Sequence, residues 1–125
     1  MNPQEIVTVV NMVESATRGM CKEAIRTSYH CKERMSKRLG KVDNSILMDV
    51  LSHYEVIEYK QVFDGAYMID KRVVLRSTKA YTDEYNYCIV FSLLKKSVVT
   101  YWKNKTYNTH ENVDLSKYNV NMKVY

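Results

Sequence analysis

The feature of this chain best suited to chemistry is a histidine set among arginines. In residues 26–38, RTSYHCKERMSKR, the side chains Arg26, His30, Arg34 and Arg38 recur every four positions. On a continuous helix they form one stripe beside an apolar face of Ala24, Cys31 and Met35. A helix beginning at Ser28 releases Arg26 and keeps the other three together. Guanidinium groups hold phosphate through paired hydrogen bonds, and imidazole exchanges protons near neutral pH. The combination suits a reaction at a phosphate group. A solvated cationic helix face carrying an incidental histidine produces the same pattern. Two further histidines, His53 and His110, have no metal-ligand spacing to His30 or to each other, and HExxH is absent. No P-loop and no GxGxxG occurs, which argues against nucleotide hydrolysis and dinucleotide chemistry. The expectation is therefore no metal site and no cofactor.

Charge points the same way. The chain has 19 basic and 14 acidic residues, a net charge of +5. Residues 18–41 hold eight basic side chains (Lys37 among them) against Glu23 and Glu33, so that segment alone exceeds the net charge of the chain. A second block contains Lys95, Lys96, Lys103 and Lys105 without an acid. Two basic blocks suit a polyanion, although a merely basic solvated surface has the same composition. Tyrosine is abundant at 11 residues, and Tyr101 and Trp102 lie beside Lys103 and Lys105. Aromatics among lysines stack unpaired bases while the cations hold the backbone. Strand residues alternate faces, so only one of Tyr101 and Trp102 can be free for this, and the other belongs to the core.

These side chains need a scaffold. A length of 125 residues corresponds to one domain, 1–125, with 46% hydrophobic and 26% charged residues. No apolar run approaches a membrane span and the N-terminus lacks the pattern of a signal peptide. Three cysteines without a CxxC read as reduced thiols of a cytoplasmic protein. Helical spacing runs over 3–18, with Asn2 as N-cap, Pro3 in the first turn and Gly19 as terminator. A second helix spans 28–39, capped by Thr27 or Ser28 and ended by Gly40; a third begins near Asp43. Four strands follow, at 56–63, 67–77, 87–94 and 97–103, the last two a hairpin around Lys95–Lys96. The predicted fold is α+β, with N-terminal helices packed on a C-terminal antiparallel sheet of about four strands.

Ile25, Ser28, His30, Arg34, Met35 and Arg38 stand in the spacing I-x-x-S-x-H-x-x-x-R-M-x-x-R. This resembles the S-x-H-x-x-x-R-M-x-x-R signature of small ribonuclease-like domains of the barnase, EndoU, colicin E5/D and RelE-type fold. More loosely it resembles the phage RegB endoribonucleases, which also rely on histidines in a helical half. The segment SVVTYWKN at 97–104 looks like the final strand of the wider group, followed by a histidine-containing stretch at His110. The specific part of the resemblance covers fewer than twenty residues.

The resemblance implies metal-independent cleavage of single-stranded RNA or mRNA. The 2′-OH attacks the adjacent phosphorus and leaves a 2′,3′-cyclic phosphate and a 5′-OH. Such a reaction needs a base, an acid and cations around the phosphorane. The expected catalytic set is His30, Arg34, His53, Arg76 and His110. Arg72 is the alternative to Arg76, and surface or helix-end roles are the bland readings of His110 and His53. The expected RNA contacts are Arg26, Lys37, Arg38, Arg72, Lys95, Lys96, Tyr101, Trp102, Lys103 and Lys105. The start at Met1 suggests a free-standing phage-encoded or toxin-like protein acting in the host cytoplasm, on RNA and in reach of a ribosome or translation factor, with no membrane partner. The alternatives are a non-catalytic RNA-binding or host-factor-inhibiting protein of the same fold, and a domain whose basic face meets an acidic protein.

Overall fold

The structure is a computed structural model and describes residues 1–79 and 85–105. Three helices precede four strands: α1 (Pro3–Thr17), α2 (Tyr29–Leu39), α3 (Asn44–Ser52), β1 (Tyr54–Asp64), β2 (Tyr67–Ser77), β3 (Tyr85–Ser92) and β4 (Ser97–Lys105). The strands form one antiparallel sheet in the order β1-β2-β3-β4. The α+β arrangement read from the sequence is the one found. Among the described residues no helix is long and apolar enough to cross a membrane.

Each helix starts where a short polar side chain satisfies an early backbone N–H. Asn2 accepts from the Glu5 amide at 2.9 Å, Ser28 from Cys31 at 3.0 Å, and Asp43 from Ser45 at 3.1 Å. Gly40 ends α2 at φ 76°, a left-handed conformation that glycine takes without a Cβ clash. The stretch before Tyr29 is not helical. Arg26 is therefore off the α2 stripe, and Ala24 is exposed rather than part of an apolar face.

All three helices lie on one face of the sheet. Val9, Val13 and Ala16 of α1, Cys31 and Met35 of α2, and Ile46, Leu47, Val50 and Leu51 of α3 bury against Val73, Leu75, Ile89, Phe91 and Tyr101. The opposite face carries a smaller apolar cluster of Val62, Val74, Val90 and Val99, with Ile57 and Trp102 packed against it. Bulges at Ile57 of β1, at Ile69 of β2 opposite Val62 and Phe63, and near Val99 of β4 shift the alternation of faces.

The hairpins differ in their turns. Gly65, at φ 59°, and Ala66 form the two-residue connection between β1 and β2. The β3–β4 connection is four residues long, not the two expected around Lys95–Lys96. Leu93 donates its N–H to Lys71 O at 2.8 Å and buries its side chain in the core, so β3 ends at Ser92.

Candidate functional site

The segment entering α2 is tied to the edge of β4. Val98 donates to Arg26 O at 2.9 Å, and Ser28 donates to Val98 O at 2.8 Å. The Ser28 hydroxyl, besides capping α2, donates to Val99 O at 2.5 Å. This latch lays α2 along β4. Arg34 Nη1 reaches to 3.5 Å from Thr100 Oγ1, and Met35 and Cys31 turn inward towards Tyr101.

His30, Glu33, Arg34, Lys37 and Arg38 line an open depression of about 350 Å³ on the outer side of α2. His30 and Arg38 are exposed and, among the described residues, have no hydrogen-bond or ion-pair partner. Lys37 pairs with Glu33 at 3.0 Å across one helical turn. The sequence reading named His30, Arg34, Lys37 and Arg38, and the fold brings them together. It counted Glu33 only as an acid within the basic block and not as a site residue, although its i+3 spacing from His30 was the available signal. A larger cleft of about 630 Å³ lies between α1 and β1, against Met12, Tyr59 and Lys60, and has neither histidine nor arginine in its lining.

Cations extend the depression along the β4 edge. Exposed Lys95 and Lys96 occupy the β3–β4 turn, next to the Val98–Arg26 contact. Arg26 is exposed there, and Lys103 is exposed near the far end of β4. From Ser97 to Lys103 the strand spans about 20 Å. Lys105 closes β4.

Other expected site residues are placed elsewhere. His53 caps the C-terminus of α3 and is exposed, and its carbonyl accepts from Thr78 N at 2.8 Å. Val98 is in register with Phe91 and Val73, so the latch and Thr78 are separated by about 17 Å along the strands and about 10 Å across them. His53 is thus no partner for His30 at one phosphate. This corrects the pairing expected from the sequence.

Arg72 and Arg76 lie on the sheet face away from the helices. The Arg72 side chain is 7% exposed and donates to Asp70 Oδ2 at 2.7 Å, while Ser92 donates to Asp70 Oδ1 at 2.8 Å. It is a buried structural ion pair and not an RNA contact. Arg76 pairs with Glu55 of β1 on the same face. Neither arginine shares the depression with His30.

Tyr101 and Trp102 point to opposite faces, as strand alternation requires. Tyr101 is 2% exposed, within the helix-side core and 6.2 Å from Tyr87 between ring centroids. It offers no face to a base, which corrects its reading as a stacking residue. Trp102 is half-buried on the other side of the sheet, away from α2. His110 lies outside the described residues.

Burial pushes the Cys31 thiol up to about 11 and the Cys88 thiol up to about 12, so neither is a nucleophile at neutral pH. Among the described residues no group of three or more His, Cys, Asp or Glu could hold a metal ion.

Compared with known proteins, the chain matches no family model, no curated protein and no solved structure.

Proposed function

We propose that this protein is a metal-independent endoribonuclease that cleaves single-stranded RNA at the α2 depression. One observation carries the reading: an exposed histidine, unpartnered among the described residues, shares an open depression with two arginines, a lysine and a carboxylate. Arg34 and Arg38 hold the phosphodiester and stabilise the charge that grows on its oxygens as the phosphorane forms. The 2′-oxygen bonds to phosphorus as the bond to the 5′-oxygen breaks. His30 and Glu33 divide the two proton transfers. One takes the 2′-OH proton and the other returns a proton to the leaving 5′-oxygen. Lys95, Lys96, Arg26 and Lys103 carry the flanking backbone along the β4 edge.

The direct test is incubation of the purified protein with mixed cellular RNA in EDTA, followed by mapping of the ends. The reading predicts discrete cuts with 2′,3′-cyclic phosphate and 5′-OH ends. Intact RNA after prolonged incubation at micromolar protein, with and without cell extract, contradicts it. A second reading is a non-catalytic RNA-binding protein of the same fold. The distance of His53 from the depression favours it. In that case RNA binds with a steep salt dependence and is never cut.

A further inference from the structure

The hydroxyl of Tyr101 is buried and, among the described residues, has no hydrogen-bond partner. A buried tyrosine hydroxyl ordinarily finds one, because its lost hydration is otherwise uncompensated. Its surroundings make the omission informative. Tyr101 lies beneath α2, in one core cluster with Cys31 and Met35. The next residue back, Thr100, is approached by Arg34. The groups acting electrostatically on the Tyr101 hydroxyl are Arg38, Tyr87, Cys31 and Arg34, with burial as the dominant influence. Two guanidinium groups that line the depression are thus electrostatic neighbours of a buried O–H donor that has, among the described residues, nothing to donate to. Cations cannot accept that hydrogen bond; an anion held between them can.

We propose that Arg34, Arg38 and the Tyr101 hydroxyl form a phosphate-binding subsite, in which Tyr101 donates to a non-bridging oxygen held by the two arginines. The inference rests on the depression being the RNA site, and it gives the core tyrosine a role that ring stacking cannot. With the anion bound, the hydroxyl gains the partner that it lacks among the described residues. Tyr101 thus acts as a binding group at the reacting phosphate.

The test uses the full-length protein and inorganic phosphate, titrated to tens of millimolar at constant ionic strength with chloride as control. Resonances of the Arg34 and Arg38 side chains and of the Tyr101 ring are followed by NMR. Saturable shifts at all three, not produced by chloride, are expected. Tyr101→Phe keeps the ring and should weaken phosphate binding about tenfold or more, the effect of losing a hydrogen bond to a charged group. Arg38→Ala, at an exposed position outside the core, should weaken it comparably and guards against a folding defect in the first variant. Absence of shifts at Tyr101, or equal phosphate affinity in wild type and Tyr101→Phe, overturns the subsite. Cleavage of RNA in EDTA is measured on the same preparations. Cleavage without a phosphate response at Tyr101 sinks the subsite and leaves the ribonuclease reading standing. A phosphate response without cleavage does the reverse.

Discussion

Arg34 and Arg72 carry the same charge and do opposite work. Arg34 borders an open depression, and Arg72 is buried against Asp70. Removing one partner of a buried ion pair strands the other without solvent. Arg72→Ala should therefore cost about 3–5 kcal/mol of folding stability in a denaturant titration. A loss below about 1 kcal/mol would return Arg72 to the list of surface cations. Arg34→Ala should fold normally and lower cleavage about 100–1000-fold, as expected for loss of one donor to a transition-state oxyanion. An Arg34→Ala enzyme within twofold of wild type would remove Arg34 from the mechanism. Sequence could not separate these two arginines. The burial of Arg72 depends on Ser92 of β3 arriving beside Asp70, a contact 22 residues away. The His30–Arg34–Arg38 spacing, by contrast, is local to one helix and was legible. Tyr101 was legible only in part: alternation placed it opposite Trp102 but did not say which of the two was inside.

The element that decides the site is α2, and its N-terminus is its anchor. Ser28 both caps the helix and fastens it to β4 through Val99 O. Ser28→Ala should lower stability by about 1–2 kcal/mol. It should also reduce cleavage beyond that effect, because His30 and Arg34 lose their fixed distance from β4. Activity unchanged at saturating RNA, in the face of the stability loss, would show that the latch does not position the site. The helix boundaries at Ser28 and Gly40 could be read from the sequence because capping chemistry is written in single residues. The strand ends could not. Leu93 leaves β3 to pair with Lys71 and fill the core, and the bulges at Ile57 and near Val99 reflect sheet curvature rather than any local signal. The apparent hairpin break at Lys95–Lys96 was therefore two residues too short.

At the scale of the molecule, a row of cations among the described residues follows one edge. Lys95, Lys96, Arg26, Arg34, Arg38 and Lys103 follow β4 and α2, while Arg72 and Arg76 are neutralised by Asp70 and Glu55 on the far face. RNA affinity should fall steeply with salt, and replacing Lys95 or Lys103 by Ala should reduce the log–log slope by about one each. Unchanged slopes would place the RNA elsewhere. The core also predicts a pH limit. Free thiols and tyrosines release protons near their ordinary values of 9.0 and 10.0, whereas burial raises Cys31, Cys88, Tyr54 and Tyr101 above them. Above about pH 9 the unfolded chain thus binds fewer protons than the folded one, and stability falls as pH rises. A thermal melting series from pH 8 to 11 should show this decline, with a shallower slope in Cys88→Ala. A flat series would mean that these groups are solvated. The fold class was legible at this scale because helices and strands are segregated along the chain. The site was legible only where one element holds all of it, and the separation of His53 from His30 follows from strand register.

The central claim is that His30 moves a proton at an RNA phosphate held by α2. The measurement that reaches it most directly compares wild type and His30→Ala on one labelled RNA in EDTA, with binding and cleavage read from the same samples. Binding within about twofold of wild type, with cleavage reduced by about 100-fold or more, is the predicted result. Equal cleavage by the two proteins would contradict the account.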